Sequence, residues 1–406
     1  MSTTQSDPKR TAVIVSAVRT PIGRYLGALA PLQAAELGGI AIRAAVERSG
    51  IDPEEIRDVV MGNVVQGGEG QAPARQAALK GGLPAGTSAY TVNMVCGSGL
   101  KAVMLATQAI RAGDAQVVLA GGMESMSNAP YYLYGARQGL KFGDQTLVDG
   151  LIRDGLWCAY GDVHMGGHAE YTAKKAGITR QMQDEFALAS HQKAVAAQRA
   201  GKFDAEIVPV EVPGRKGQTV VGTDEGPRAD STLEALAKLR PAFGKDAPDD
   251  VEELSVTAGN ASSMNDGASA ILVVSEEYAR AHGLTILARI TGYATGAVEP
   301  RDLFFAPIRA VRNLMESTGR SIGDYDLIEA NEAFASQALA DGAGLGWDWD
   351  RVNVNGGAIA LGHPIGASGA RVLTTLIHAM HDRGARRGLA TLCLGGGDAV
   401  ALSVER

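Results

Sequence analysis

The chain has 406 residues, of which 45% are hydrophobic and 20% charged, a composition typical of a folded globular protein with two or three subdomains. Its formal net charge of −7 argues against nucleic acid or an anionic membrane as the main partner. Three cysteines without paired spacing argue against a disulfide framework.

Nothing in the sequence predicts export or membrane insertion. Residues 1–8 are polar and lack the apolar stretch of a signal peptide. No apolar run reaches the roughly 18 residues that a transmembrane helix needs. We therefore expect a cytoplasmic protein without a membrane partner.

The first part of the chain alternates strand-like and helix-like segments. Residues 12–18 are apolar and rich in β-branched side chains, which predicts a buried strand. Residues 33–49 have apolar side chains at helical spacing and are followed by Gly50. The pattern continues with strands at 58–61, 90–95 and 117–120 and helices at 72–79 and 97–111. This alternation predicts a largely parallel sheet covered by helices on both faces.

The middle of the chain has a different character. Residues 125–256 contain more aromatic residues, charges and turns, which predicts a loop-rich region with a few helices, one of them at 181–200. Strand–helix alternation resumes at about residue 269. The sequence thus predicts an N-terminal α/β half (1–124), an inserted loop domain (125–256) and a C-terminal α/β half (257–406).

The two outer parts resemble each other. Residues 97–122 and 367–396 each begin with a small-Ser-Gly motif, continue as a helix and end in an apolar strand that runs into glycines. This pattern predicts a duplicated α/β unit, with two sheets packed back to back about a shared layer. Equivalent turns would then meet at one cleft and bring Cys96 and Cys393 together.

Two of the three cysteines lie where a predicted strand meets glycines. Cys96 follows the strand at 90–95 and precedes Gly97 at a helix start, where the helix dipole favours thiolate and lowers the thiol pKa. Cys393 ends an apolar run, and the nearby N–H of Gly395 can donate to an oxyanion. Each thiol alone is also compatible with a packed core cysteine. The pair predicts one thiol that attacks and another that moves protons.

His363 and Asn331 are the candidate partners of these thiols. His363 stands between Gly362 and Pro364, which fix the backbone and present the ring as a base for a thiol. Asn331 offers an amide that can anchor a water beside this ring. A surface turn for the histidine and a helix N-cap for the asparagine are the alternatives. Together the four side chains indicate carbon–carbon bond chemistry on thioesters.

The sequence gives little support for metal or nucleotide chemistry. His164 and His168 are separated by two glycines, and His378 and His381 lack a third ligand. The glycine spacing over residues 362–369 does not fit a dinucleotide loop, and there is no Walker-type loop. We therefore expect neither a metal site nor a cofactor.

Taken together, these motifs resemble those of the thiolase family, with acetyl-CoA acetyltransferases of the short-chain, biosynthetic branch the most similar. The resemblance runs from about residue 12 to residue 404. The matching stretches occur in one order: 16–23, 93–101, 120–127, 258–262, 331–335, 356–364 and 393–397. The His164-Met165 pair is also similar to that branch.

The resemblance implies a layered α-β-α-β-α fold and a reversible Claisen condensation of two acetyl-CoA to acetoacetyl-CoA. Cys96 would be acylated after His363 takes its proton, and Cys393 would remove the α-proton of a second acetyl-CoA. One oxyanion hole would consist of His363 and a water on Asn331. The other would consist of the N–H groups of Cys96 and Gly395.

The resemblance also implies the substrate contacts and the assembly. The substrates would be coenzyme A thioesters, bound largely by the loop domain, and family members are homodimers or homotetramers. The positions implied to contact coenzyme A are Leu156, His164, Met165, Arg228, Ala258, Gly259, Ser262, Ala333 and Phe334.

Two departures from the family pattern and three alternative functions stay open. Asp398 stands near Cys393, and we expect it to make a structural hydrogen bond rather than raise the thiol pKa. Phe304 and Phe305 replace a glycine-rich segment and bear on the acyl pocket or on subunit contacts. The alternatives are a degradative 3-oxoacyl-CoA or 3-oxoadipyl-CoA thiolase, a ketosynthase-like condensing enzyme and an inactive coenzyme A-binding scaffold.

Overall fold

The structure is a computed structural model and describes residues 7–214 and 217–406. Its strands are β1 (Ala12–Arg19), β2 (Gly23–Arg24), β3 (Asp58–Gly62), β4 (Ser88–Val92), β5 (Val117–Ser125), β6 (Tyr131–Tyr132), β7 (Val148–Asp149), β8 (Trp157–Cys158), β9 (Val163–His164), β10 (Val210–Gly214), β11 (Gly217–Val221), β12 (Asn265–Ser275), β13 (Ala288–Ala297), β14 (Leu327–Ala330), β15 (Arg387–Leu394) and β16 (Asp398–Glu405). Its α-helices are α1 (Ala34–Ser49), α2 (Pro73–Lys80), α3 (Ser98–Ala112), α4 (Met165–Ala176), α5 (Arg180–Arg199), α6 (Leu233–Ala237), α7 (Glu276–Ala281), α8 (Ala306–Thr318), α9 (Ala335–Leu345), α10 (Ala358–Leu361) and α11 (Ile365–Arg383).

The main sheet consists of two halves with the same strand order. The N-terminal half runs β4-β3-β5-β12-β1 and the C-terminal half runs β14-β15-β16-β13. They join through a short antiparallel pairing of β1 with β13, at Val13–Arg289 and Ile14–Ala288. Val352 forms a parallel bridge to β14, in the position that β4 occupies beside β3. The predicted duplication is therefore present in the strand order as well as in the sequence.

The prediction of a largely parallel sheet is correct in one respect: within each half, all strands but one run in the same direction. It is wrong about the hydrogen-bonded neighbours, because the one reversed strand makes several pairs antiparallel. Among the strands of the described residues, β3–β4, β3–β5 and β14–β15 are the pairs that run in parallel. In the N-terminal half β12 lies antiparallel between β1 and β5, and in the C-terminal half β16 lies antiparallel between β13 and β15. Because β12 follows a long excursion of the chain, local alternation could not reveal this insertion.

Three helical layers enclose the two halves. Helices α1 and α2 pack on the outer face of the N-terminal half, and α8 packs on the outer face of the C-terminal half. Helices α3 and α11 cross each other between the halves and share one apolar core with strands of both. The α-β-α-β-α arrangement predicted from the resemblance is thus confirmed.

The middle section leaves the sheet after β5 and returns at β12. It contains α4, α5 and α6 and three small two-stranded sheets. Among the described residues, no helix combines the length and the apolar character needed to cross a membrane. The middle section lies over the ends of the strands that carry the candidate site residues.

Candidate active site

One cavity of about 480 Å³ lies where the two halves and the middle section meet. Cys96, His363, Cys393 and Gly395 line it, although they come from opposite halves of the chain. All nine positions implied to contact coenzyme A line it too: Leu156, His164, Met165, Arg228, Ala258, Gly259, Ser262, Ala333 and Phe334. Asn331 lies behind His363 rather than in the cavity wall. The sequence-predicted site is thus brought together in one place.

Cys96 occupies a tight turn just before α3. Val95 has φ = 45°, a left-handed conformation that costs a β-branched residue about 1–3 kcal/mol. Ser98 fixes this turn, because its Oγ accepts a hydrogen bond from the N–H of Met94 (2.8 Å) and donates one to the carbonyl of Val95 (2.6 Å). The strained turn directs the half-buried thiol into the cavity.

The prediction of a lowered pKa for Cys96 is wrong. Burial of the thiol among apolar side chains raises its pKa to about 12, and the nearby Glu124 carboxylate adds to this effect. The backbone N–H groups of Cys96 and Gly395 point at the sulfur and lower the pKa, but by less than burial raises it. Cys96 also precedes α3, which starts at Ser98, so the helix dipole acts on it from outside the helix.

His363 is a buried residue, not a surface-turn histidine. Its Nδ1 lies 2.6 Å from Ser368 Oγ, and that hydroxyl donates its proton to the carbonyl of Pro364 at 2.9 Å. Ser368 must therefore accept, so Nδ1 carries the hydrogen and Nε2 keeps its lone pair. The backbone N–H of His363 donates to Asn265 Oδ1 at 2.8 Å. Burial, together with the charge of Arg371, lowers the imidazole pKa to about 3, which keeps the ring neutral.

Asn331 supports the histidine from behind. Its side chain is almost fully buried, and its Nδ2 lies 3.5 Å from His363 Nε2. Its backbone N–H donates to the carbonyl of Thr391. The helix N-cap alternative does not hold, because the N-cap of α9 is Phe334.

Cys393 is the penultimate residue of β15 and lines the cavity with a buried side chain. Burial raises the pKa of its thiol well above the ordinary value, and the proximity of Cys96 and Asp341 raises it further. Asp398 accepts a hydrogen bond from the N–H of Ala399 at 2.9 Å and pairs with Leu394 across the hairpin. This contact supports the expected structural role of Asp398.

An aromatic wall runs along the cavity beside Cys393. Phe304 packs edge-on against Phe334 with a centroid separation of 5.3 Å, and Phe243 packs against the same ring at 6.0 Å. The ring of His164 stacks on Phe243 at 4.8 Å. Phe304 is almost fully buried and shares an apolar cluster with Cys393. The segment that departs from the family pattern therefore contributes Phe304 to the cavity wall near Cys393.

Sequence reasoning missed three residues that hold the site. Ser368 fixes the tautomer of His363, Asn265 holds the His363 backbone, and Glu124 lies behind Cys96. Glu124 had a detectable sequence signature, because a carboxylate at the end of an apolar, glycine-containing strand is unusual. Across residues 7–214 and 217–406, no group of three or more His, Cys, Asp or Glu side chains could hold a metal ion.

Comparison with known proteins identifies the family. Residues 12–277 match the model of the thiolase N-terminal domain, and residues 284–406 match that of the thiolase C-terminal domain. An acetyl-CoA acetyltransferase from Pseudomonas aeruginosa is 56% identical over 97% of this chain and 99% of its own. One from Paracoccus denitrificans is 55% identical over the same shares.

A solved structure agrees with this result. The crystal structure of the Bacillus anthracis acetyl-CoA acetyltransferase superposes with a TM-score of 0.94 at 42% identity, covering 97% of this chain and 98% of that one. Both family models, the full-length relatives and the shared fold lead to one conclusion. The chain belongs to the thiolase family.

Proposed function

We propose that the protein is an acetyl-CoA C-acetyltransferase, which joins two acetyl-CoA into acetoacetyl-CoA and coenzyme A and also runs the reverse thiolysis. The observation that carries this proposal is the convergence of two thiols and one neutral imidazole on a single cavity. The full-length relatives named acetyl-CoA acetyltransferase support the same reaction.

In the first half-reaction Cys96 attacks the thioester carbonyl of acetyl-CoA. Its proton passes to His363 Nε2, which is free to accept it because Nδ1 holds the other hydrogen. The N–H groups of Cys96 and Gly395 stabilise the oxyanion, and one such donor contributes about 3–4 kcal/mol. The coenzyme A thiolate then leaves and takes the proton of Cys393, which produces acetyl-Cys96, a Cys393 thiolate and a protonated His363.

In the second half-reaction the Cys393 thiolate removes the α-proton of another acetyl-CoA. A thiol with a strongly raised pKa is a strong base once it is ionised. The carbanion attacks the acetyl carbonyl on Cys96, and the carbon–sulfur bond breaks to release acetoacetyl-CoA. The Cys96 thiolate recovers its proton from His363. His363 and a water on Asn331 form the second oxyanion hole.

The proposed division of the chain follows this chemistry. Residues 1–124 provide Cys96, residues 257–406 provide His363 and Cys393, and residues 125–256 bind coenzyme A. Among the described residues, Arg24 and Arg228 are the arginines that line the cavity, and they suit the phosphates of coenzyme A. The apolar Leu156 and Met165 suit the pantetheine arm.

A short acyl chain is the preferred substrate in this proposal, rather than the longer chains of a degradative thiolase. Phe304 and Phe334 line the cavity, pack edge-on at 5.3 Å and share an apolar cluster with Cys393, which suits a small acyl group there. We further propose a homodimeric or homotetrameric protein in the cytoplasm that needs neither metal nor cofactor and does not bind nucleic acid.

The test is steady-state thiolysis of a series of 3-oxoacyl-CoA substrates with four to ten acyl carbons. We expect kcat/KM to be highest for acetoacetyl-CoA, and we expect acetyl-CoA alone to leave a trapped acetyl group on Cys96. The Cys96→Ser variant is the matched blank for that label. A wild-type enzyme that prefers eight or ten carbons would favour the degradative alternative, and one that does not acetylate Cys96 would reject the thiolase mechanism.

A further inference from the structure

Glu124 is a buried carboxylate that no step of the proposed mechanism uses. It lies at the end of β5 and has no exposed surface. Its Oε2 accepts hydrogen bonds from the N–H of Gly366 at 2.8 Å and of Val64 at 3.2 Å. Its Oε1 accepts from the N–H of Val65 and from Asn63 Nδ2, both at 3.1 Å. Four donors from two halves of the protein thus converge on one side chain.

These donors belong to the two segments that carry the reacting groups. Gly366 is the second residue of α11 and follows His363 by three positions. Val64 and Val65 pack in one apolar cluster with Cys96 and with Ile365 of α11. The carboxylate therefore connects the packing around the thiol to the helix turn that follows the imidazole.

The backbones of the two halves are in direct contact beside Glu124, so the halves cannot move closer together there. A Cβ on Gly62 would come within 2.6 Å of the Gly366 carbonyl, and a Cβ on Gly122 would collide with the same oxygen. The first turn of α11 thus lies directly against the N-terminal half through glycines. Close backbone contact sets the approach of the halves, and the carboxylate fixes their register.

We propose that Glu124 is a positioning residue, whose carboxylate holds the Cys96 thiol and the His363 imidazole at reacting distance by tying the first turn of α11 to the N-terminal half. This role rests on the proposed function. The carboxylate also lies at the N-terminus of α11, where the helix dipole favours a negative charge.

The four hydrogen-bond donors around Glu124 define the need for a carboxylate, and they act against the burial that disfavours its charge. Burial raises its pKa to about 8, the Gly366 N–H lowers it, Glu69 raises it, and the N–H groups of Val65 and Val64 lower it. Glu69 has a pKa raised to about 7 by its own burial. A carboxylate offers acceptors to all four donors, whereas the amide of a glutamine would turn an N–H₂ group toward one pair of them.

The test compares Glu124→Gln with Glu69→Gln. We expect Glu124→Gln to lower kcat for acetoacetyl-CoA thiolysis about 10–100-fold, because a displacement near 1 Å costs a reaction about that much. KM should stay within about twofold, since Glu124 lies behind the cavity wall. Glu69→Gln changes a neighbouring acidic group that accepts from Asn63 Nδ2 rather than from α11, and it should keep kcat and KM within about twofold of wild type.

A second readout does not depend on turnover. Alkylation of Cys96 by iodoacetamide also needs His363 as a base, so Glu124→Gln should slow it about tenfold while Glu69→Gln does not. If wild type lacks thiolysis, the proposed function fails, and the alkylation rates still decide the role of Glu124. Unchanged kcat and alkylation in a folded Glu124→Gln protein would overturn the inference, as would a loss confined to KM.

If the Glu124→Gln variant does not fold, the Glu124→Asp variant takes its place in the test. Its carboxylate keeps the charge but is one methylene shorter, so it cannot reach Gly366 and Val65 together. We expect the same direction of loss in kcat with unchanged KM. Wild-type kcat in Glu124→Asp would overturn the inference equally.

Discussion

Each half places one reacting side chain in the turn before its central helix, and the two side chains serve different chemistry. Cys96 lies two residues before the first residue of α3, and His363 lies two residues before the first residue of α11. The helices cross where a Cβ on Gly99 would meet Ala370 and a Cβ on Gly369 would meet Leu100. Measured from this crossing, Cys96 lies three residues before Gly99 and His363 six residues before Gly369, yet both side chains line the same cavity.

The halves differ in how they build that turn. The N-terminal half puts Val95 in a left-handed conformation at φ = 45°, whereas the C-terminal half puts Gly362 at φ = 111° before its histidine. The first choice stores strain beside the nucleophile, and the second avoids it with glycine. The comparison teaches that topology fixes where the reacting groups stand, while local backbone chemistry fixes how rigidly they are presented.

The equivalent strands also diverge. β5 ends near Glu124, which ties the halves together, and β15 ends near Cys393, which lines the cavity. Both turn residues are neutral at rest, because burial raises the pKa of Cys96 to about 12 and lowers that of His363 to about 3. Proton transfer then accompanies the attack of the thiol rather than preceding it.

Among the variants that test this comparison of the two halves, removal of the His363 imidazole has the largest expected effect on kcat. We expect His363→Ala to lower kcat for thiolysis about 1,000-fold, because a positioned base contributes on the order of 100- to 10,000-fold. His381→Asn, in the last turn of the helix α11 that follows His363, should stay within about twofold of wild type. The measurement is steady-state kcat for acetoacetyl-CoA. A tenfold or smaller loss in His363→Ala would mean that another group takes the Cys96 proton.

The pH dependence of Cys96 alkylation tests whether the Cys96 thiol and the His363 imidazole are both neutral at rest. Because the pKa of His363 is lowered to about 3, its neutral ring can accept the proton throughout the range from about pH 5 to about pH 9, and the wild-type rate should be flat there. In His363→Ala the rate should follow the thiolate fraction and rise about tenfold per pH unit, because the thiol pKa lies above this window.

Iodoacetamide labelling read by mass spectrometry measures these rates, with Cys96→Ser as the blank for the other two thiols. A wild-type profile with a midpoint below about pH 7 would contradict the neutral pair. It would indicate a preformed thiolate–imidazolium pair instead.

Much of the fold could be predicted from the sequence, because the signals for single helices and strands are local. Apolar periodicity and the following Gly50 placed α1 correctly, and the apolar run predicted a strand at 12–18 where β1 spans Ala12–Arg19. The antiparallel insertion of β12 was not readable, because its partners β1 and β5 lie far away in the chain, beyond the whole middle section. No local pattern encodes that choice.

The site residues likewise divide into those that the sequence could predict and those that it could not. Cys96, His363 and Cys393 could be proposed because thiols and a histidine beside glycines suggest a specific chemistry. Ser368 and Glu124 act through the hydrogen bonds that they make to the reacting segments, and such bonds appear only once the helices are packed. The pKa of Cys96 was mispredicted because burial outweighs the helix dipole, and burial is a property of the assembled cavity.

A serine in the first turn of each helix, Ser98 of α3 and Ser368 of α11, sharpens the comparison with smaller effects. Ser368→Ala removes the acceptor that fixes the His363 tautomer, and we expect kcat to fall about tenfold with KM unchanged. Ser98→Ala removes the bonds that fix the Cys96 turn and should instead cost about 1–2 kcal/mol of unfolding free energy. Steady-state kinetics and urea unfolding separate the two outcomes. Equal losses of kcat in both variants would show that each serine serves only to hold its loop.

The smallest expected effect concerns the acyl end of the cavity, where adjacent aromatic residues provide a matched pair. Phe304 lines the cavity, whereas Phe305 lies outside it with Lys175 over its ring. Phe304→Ala should raise the kcat/KM ratio of the six-carbon to the four-carbon 3-oxoacyl-CoA about fivefold. A fitted apolar pocket gives about tenfold or more per methylene, and the space that Phe304 leaves is not fitted to the longer chain. Phe305→Ala should leave the ratio unchanged. If both variants shift the ratio equally, the effect comes from the loosened segment and not from the space that Phe304 fills.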